Sequence, residues 1–213
     1  MKTYLKLIAA SLAVFLIFSA ALNKIKSSKI STSKKLYPIV RLTQDGRTFC
    51  SGTVINDHTI VSAAHCMPII SMFGMIMLDT NPIEIKPFHN QSIGVFGTPY
   101  YIDPRMDLAL IKGDFSMFEP QPYTSDITTI VGSFKLGRRM VACGYPMNGD
   151  LYCAELYFYS TQEFSMKVRG LLLPGMSGGP TMLEDGTVIG VNTAVTDEFS
   201  IISPIYNINK NIK

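Results

Sequence analysis

The chain has 213 residues, of which 47% are hydrophobic and 16% are charged, and its formal net charge is +3. This length is enough to bury a sizeable core without a structural metal, and the low charge argues against a disordered chain. Long apolar segments do not recur along the sequence, which excludes a multi-span transporter. A net charge of +3 is too small to indicate a nucleic-acid partner, and we expect none.

The positive charge is concentrated at the start of the chain. The first 36 residues hold seven of the 19 basic residues and no acidic one, so residues 37–213 carry 12 basic and 16 acidic residues, a formal charge of −4. An uncharged apolar stretch, residues 7–22, follows two lysines, which is typical of a secretory signal peptide cleaved after Ala21. The alternative is a retained membrane anchor and tether through residues 4–22.

These features predict a signal peptide or anchor at 1–22, a Lys/Ser-rich linker at 23–36 and a folded domain at 37–213. The domain is expected outside the cytoplasm, either secreted or periplasmic, or held at a membrane. Within it, short β-rich runs such as TFCSGTVI, DLALIK and TVIGVNTAV are separated by Gly, Pro, Asn and Asp, which predicts an all-β sandwich or barrel. The apolar, Met-rich residues 67–78 are expected in the core or beneath a covering loop.

Four cysteines, Cys50, Cys66, Cys143 and Cys153, allow three disulfide pairings. Disulfides are possible if the domain is exported, whereas four buried free thiols would fit a reducing compartment. Cys-x-x-Cys does not occur and the three histidines are scattered, so we expect no metal site and no cofactor.

Three motifs carry side chains suited to nucleophilic catalysis. Ser177 lies in the run GMSGG, where glycines permit a tight turn that exposes the hydroxyl beside backbone N–H groups. A serine needs a neighbouring base, and His65 follows an apolar strand and two alanines. Asp107 directly precedes a strand of buried character, and a buried aspartate can orient a histidine.

Each motif has an ordinary structural alternative when taken alone: a Gly-rich turn, a histidine at a strand end, and a capping aspartate. Asp103, in the turn-like run YIDP, competes with Asp107 for the role of the acid. His58 and His89 have no motif around them, so we expect structural or solvent-facing roles for both.

Together, the motifs resemble the trypsin-like, or chymotrypsin-fold, serine peptidases over residues 37–206, in that family's order of His, Asp and Ser. The resemblance implies two six-stranded antiparallel Greek-key β-barrels, at about 37–115 and about 128–206, with the active site in the cleft between them. The run DLAL, which starts at Asp107, matches the family pattern, so we prefer Asp107 to Asp103.

The resemblance also assigns roles. Ser177 would attack the scissile carbonyl, His65 would take and return the proton, and Asp107 would orient His65. The backbone N–H groups of Gly175 and Ser177 would form the oxyanion hole. In the family, cysteines at the places of Cys50 and Cys66 are disulfide-bonded, and carrying this pairing over leaves Cys143 and Cys153 for a second bridge.

Departures from the family pattern sharpen the expectation. Zymogen-activated members carry an aspartate where this chain has Met176, so we predict activity without zymogen cleavage. The run GMSGG followed by TVIGVNTA is more similar to HtrA-like and glutamyl-endopeptidase-like members. The family's pocket base corresponds to Leu171, and its substrate-aligning strand corresponds to Asn192, Thr193 and Ala194.

Because no acidic residue occupies the expected pocket base, we predict an apolar residue before the cleaved bond. The resulting hypothesis is a serine endopeptidase that hydrolyses protein or peptide substrates through an acyl-enzyme. The alternative is a catalytically silent binding module of the same fold, tethered at a membrane.

Overall fold

The computed structural model of the chain describes residues 35–72, 75–87, 93–124, 126, 132–147, 149–205 and 208. The predicted leader or anchor at 1–22 and nearly all of the predicted linker lie outside these residues, as does His89. In the described ranges, no helix is long and apolar enough to cross a membrane.

Antiparallel strands make up most of the described chain. In order they are β1 (Ile39–Gln44), β2 (Arg47–Asn56), β3 (Thr59–Ser62), β4 (Ile69–Met72), β5 (Met75–Leu78), β6 (Ile83–Lys86), β7 (Val95–Asp103), β8 (Leu108–Gly113), β9 (Arg139–Gly144), β10 (Tyr152–Gln162), β11 (Ser165–Arg169), β12 (Pro180–Met182), β13 (Val188–Val195) and β14 (Ser200–Pro204). A single 3₁₀ turn, Ala64–Cys66, follows β3.

The strands close into two six-stranded barrels. The first has the order β1-β2-β3-β8-β7-β6, and the second has the order β10-β11-β14-β13-β12-β9. Closure pairs the edge strands that an open sheet would leave free to associate with other chains. The predicted all-β fold with two six-stranded antiparallel barrels is confirmed.

Local sequence explains how individual strands and turns form. Along β10, Ala154, Leu156 and Phe158 are buried while Tyr157 and Tyr159 are exposed, as the two-residue period of a strand requires. Between β1 and β2, the pair Asp45-Gly46 takes positive φ values of 51° and 74°, which suits the tight turn of a hairpin.

Each barrel encloses its own apolar core. The largest fully buried side chains of the first barrel include Leu42, Ile60, Ile85, Leu110 and Ile111, and those of the second include Met140, Leu156, Met166 and Met176. Each side chain of this size contributes about 1.5–3 kcal/mol when it is removed from water.

Strands β4 and β5 form a separate two-stranded hairpin. The expectation that residues 67–78 are core or covered is wrong for this hairpin, because Ile69, Ile70 and Met77 are 59%, 38% and 43% exposed. Consecutive residues of a strand point to opposite faces, so Ile69 and Ile70 leave both faces accessible. Met67, which precedes the hairpin, is buried in the first core, and Leu78 at the end of β5 is partly buried against it.

Candidate active site

Strand pairing in the first barrel brings His65 and Asp107 together. Strand β3 pairs with β8, with Ser62 opposite Ala109, so the turn after β3 meets the residue just before β8. The Nδ1–H of His65 donates to Oδ2 of Asp107 at 2.7 Å, and the backbone N–H of His65 donates to Oδ1 at 2.8 Å. The carboxylate therefore fixes both the ring and the backbone of the histidine.

The two competing aspartates have different surroundings. Asp107 has a positive φ of 49°, a conformation that aspartate tolerates better than most residues. Oδ1 of Asp103 accepts the backbone N–H groups of Arg105 and Met106 at 3.0 and 3.3 Å. Asp103 thus caps the turn that presents Asp107, and Asp107 is the carboxylate that contacts His65.

The electrostatics of the pair favour a protonated imidazole. The hydrogen bond to Asp107 raises the pKa of His65, partial burial opposes this rise, and the negative charge of Asp107 adds to it. The His65 side chain remains 46% exposed, so it is accessible to solvent. An imidazolium formed during a reaction would be stabilised at this position.

The loop that carries Ser177 lies against the first barrel. The N–H of Ser51 in β2 donates to the carbonyl of Ser177 at 2.7 Å. A Cβ on Gly178 would lie 2.1 Å from the Ser51 oxygen and 2.2 Å from Oγ of Ser62, and Gly178 has a φ of +85°. Only glycine allows both this conformation and this approach, which places Ser177 beside the end of β3.

The Ser177 hydroxyl lies beside strand β13 of the second barrel. Its Oγ donates to the backbone oxygen of Thr193 at 3.4 Å. Among the hydrogen bonds of the described residues, none connects Oγ of Ser177 with the ring of His65. Catalytic hydrogen bonds are often loose without substrate and tighten in the complex, so this geometry is compatible with proton transfer between them.

Two backbone N–H groups beside Ser177 are candidates for binding a developing negative charge. Among the described backbone hydrogen bonds, neither the N–H of Gly175 nor that of Ser177 is used as a donor. The Gly175 carbonyl accepts the hydroxyl of Ser51 at 2.9 Å, and that hydroxyl accepts the N–H of Tyr145 at 2.8 Å. Ser51, which the sequence did not single out, therefore holds this loop from the opposite barrel.

A cavity of about 410 Å³ opens next to Ser177. It is lined by Leu171–Pro174, Ser177 and Asn192–Val195, none of which is charged. Leu171 is 62% exposed, so it lies at the open rim of the cavity. The family pattern predicts this residue at the base of the pocket. The other three predicted binding residues, Asn192, Thr193 and Ala194, also belong to the lining.

Asn192 has a further set of contacts away from the cavity. Its side chain is fully buried, and Nδ2 donates to the carbonyls of Cys143 and Met176 at 2.9 and 3.2 Å. The hydroxyl of Thr181, a second residue that the sequence did not highlight, donates to Oδ1 of Asn192 at 2.7 Å. The carboxamide is therefore directed into the second barrel.

Both cysteine pairs form disulfides, Cys50–Cys66 and Cys143–Cys153. The sulfurs of Cys50 and Cys66 lie close enough to the ring of His65 to share a metal ion, but the disulfide leaves no thiolate to bind one. His58 lies at the opposite end of β3, where its Nδ1 is 3.3 Å from the carbonyl of Gly113, outside the site.

Comparison with known families agrees with this arrangement. The sequence model of the family described as Trypsin matches residues 31–210. The chain belongs to the trypsin family. It is a trypsin-like serine peptidase by its family and fold. A search of curated proteins finds no match.

Solved structures share the fold at low sequence identity. The active form of the Rv3671c protease from M. tuberculosis has a TM-score of 0.59 at 17% identity, over 83% of this chain and 79% of that one. Neuropsin, a serine protease of mouse brain, has a TM-score of 0.60 at 16% identity, over 84% and 93%. The HtrA-type protease AlgW with a decapeptide has a TM-score of 0.59 at 16% identity, and the match covers 74% of this chain but only 48% of AlgW.

Proposed function

We propose that this member of the trypsin family is a serine endopeptidase that uses Ser177, His65 and Asp107 to cleave peptide bonds through an acyl-enzyme. The observation that carries the proposal is the double hydrogen bond from His65 to Asp107. It places the Nδ1 proton toward the carboxylate and leaves Nε2 as the basic nitrogen.

In the first half of the reaction, Oγ of Ser177 attacks the scissile carbonyl carbon while its proton passes to Nε2 of His65. The N–H groups of Gly175 and Ser177 bind the resulting oxyanion. The imidazolium of His65 then protonates the departing amine, and the acyl-enzyme remains. A water molecule, deprotonated by His65, then attacks the carbonyl carbon of the acyl-enzyme. His65 returns the proton to Oγ of Ser177, and the carboxylic acid product is released.

Substrate preference follows from the cavity beside Ser177. Its lining is uncharged and includes Leu171, Leu172 and Leu173. A substrate side chain with a positive or negative charge would find no charged partner in this cavity. Its burial would therefore cost more free energy than the burial of an apolar side chain. We therefore propose an aliphatic or aromatic residue before the cleaved bond.

Activity without zymogen cleavage is supported by the surroundings of Met176. This side chain is fully buried in the second core, and its sulfur accepts the N–H of Leu173 at 3.3 Å. A thioether cannot form an ion pair with a newly exposed amino terminus. Limited proteolysis near Ile39 should accordingly leave the rate of peptide hydrolysis unchanged, and a large activation would contradict this.

The two disulfides favour an oxidising compartment, so we propose that the peptidase domain works outside the cytoplasm. Whether the predicted segment 1–22 is cleaved after Ala21 or retained as a tether is decided by sequencing the amino terminus of the mature protein. Recovery of the domain in a soluble fraction with a new amino terminus at Leu22 would establish cleavage.

The activity is tested with a serine-directed fluorophosphonate probe and a library of peptide substrates. We expect covalent labelling of the folded full chain and hydrolysis after apolar residues, both abolished in Ser177→Ala. Folded protein that is not labelled would favour the silent binding module. A preference for Arg, Lys or Glu before the cleaved bond would overturn the pocket assignment alone.

A further inference from the structure

We infer that the buried carboxamide of Asn192 is a positioning residue that orients one of the two oxyanion-hole donors, the N–H of Ser177. The inference rests on the proposed catalytic use of Ser177. It assigns Asn192 a role in the transition state, beyond the substrate alignment expected for its strand.

Peptide planarity connects Asn192 to the oxyanion hole. The carbonyl of Met176 and the N–H of Ser177 belong to one planar trans peptide, so they point in opposite directions. The Met176 carbonyl accepts Nδ2 of Asn192 at 3.2 Å and the N–H of Gly179 at 3.0 Å. Holding this carbonyl toward the second barrel therefore directs the Ser177 N–H away from it, toward the cleft.

The carboxamide is itself held in one orientation. Nδ2 faces two backbone carbonyls, of Cys143 and Met176, which can only accept, and Oδ1 faces the donating hydroxyl of Thr181. Rotating the amide by half a turn would set Oδ1 against the two backbone carbonyls, which are both acceptors, and would leave those carbonyls without a donor from Asn192. Because Asn192 is fully buried, water cannot replace these partners.

Among the described residues, Asn192 supplies the only side-chain hydrogen bond to the Met176–Ser177 peptide, and the backbone N–H of Gly179 supplies the other contact to its carbonyl. The apolar side chain of Met176 provides packing but no directional contact beyond the hydrogen bond from Leu173 to its sulfur. The second oxyanion donor, the N–H of Gly175, lies two peptide planes earlier, in the peptide whose Pro174 carbonyl accepts the N–H of Met147 at 2.9 Å. Asn192 thus acts on one donor and leaves the other held independently.

The test compares variants that remove the amide or its anchor with matched controls. Asn192→Leu keeps the branched shape without the donors, and Thr181→Val removes only the hydroxyl that orients the amide. Thr181→Ser keeps that hydroxyl. Thr53→Val makes the same change at another fully buried threonine, whose hydroxyl has no hydrogen-bond partner within the described residues.

We expect kcat on an apolar peptide substrate to fall about 100-fold in Asn192→Leu, the lower end for loss of one oxyanion donor, and less in Thr181→Val. KM should change little, since the ground-state carbonyl uses the hole weakly. The inhibition constant of a peptide aldehyde, whose hemiacetal oxygen occupies the hole, should rise in parallel. Thr181→Ser and Thr53→Val should keep wild-type values.

Two results with folded Asn192→Leu overturn the inference: an unchanged kcat, or a lower kcat with unchanged affinity for the aldehyde. If Asn192→Leu does not fold, an unchanged kcat in Thr181→Val overturns it. A failure of the proposed function looks different. In that case wild-type protein is not labelled by the fluorophosphonate, or Ser177→Ala retains hydrolysis, whatever the Asn192 variants do.

Discussion

The carboxylate of Asp107 binds His65 at two places, through the ring Nδ1–H at 2.7 Å and through the backbone N–H at 2.8 Å. The second contact ties the backbone of the turn after β3 to the residue before β8. The carboxylate that holds the ring is therefore itself fixed to the backbone of His65. This relationship yields two predictions, one on the acid and one on pH.

Asp107→Asn should lower kcat/KM at neutral pH by about 10⁴-fold, because an amide can donate to Nδ1 and stabilise the wrong tautomer. Asparagine accepts the positive φ of 49° at this position, so the variant should remain folded. Asp103→Asn is the control, since the amide oxygen can still cap its turn, and it should retain activity within a few-fold. Equal losses in the two variants would contradict the assignment of Asp107.

The acid limb of kcat/KM should lie above the ordinary histidine pKa of about 6.5, because Asp107 raises the pKa of His65 and only the neutral ring accepts a proton. Asp107→Asn should move the limb to lower pH. A wild-type limb at or below 6.5 would contradict this. By linkage, the pair stabilises the fold fully below the unfolded-state pKa of His65, and this contribution is lost as pH rises through the raised value.

Gly178→Ala should be far more damaging than Gly137→Ala, although the two glycines have nearly equal φ values of +85° and +84°. At Gly137 a Cβ meets nothing within 4 Å, so the cost is the backbone strain alone, about 1 kcal/mol. At Gly178 the Cβ would overlap the backbone oxygen of Ser51, which must move for the barrels to stay in contact. Thermal unfolding with an activity assay measures the difference, and similar losses would refute it.

Met176→Asp should destabilise the fold by about 3–5 kcal/mol, because it buries a carboxylate without a partner in the second core. Met176→Leu should cost less than about 1.5 kcal/mol, as volume-conserving apolar exchanges usually do. Denaturant unfolding of both variants provides the measurement. A stable and more active Met176→Asp would show that an ionic partner for this position exists.

The local sequence predicted each of the three candidate catalytic residues separately. The run GMSGG around Ser177, the strand before His65 and the strand after Asp107 each carry a local signal, because turn and strand formation depend on neighbouring residues. The β-rich runs likewise predicted an all-β chain. Neither the strand order of the barrels nor the exposure of the β4–β5 hairpin has such a signal, since both depend on pairing between distant segments.

The chain by itself determined which residue types could do the chemistry and in what order they occur, because these are properties of the sequence. The DLAL run favoured Asp107 over Asp103, but only the tertiary structure brings Asp107 into contact with His65, since the pairing of β3 with β8 sets that contact. It also decided that Asn192 directs its amide at the Met176 carbonyl. Hydrogen bonds between residues far apart in sequence form only when the barrels close, so no local sequence pattern predicts them.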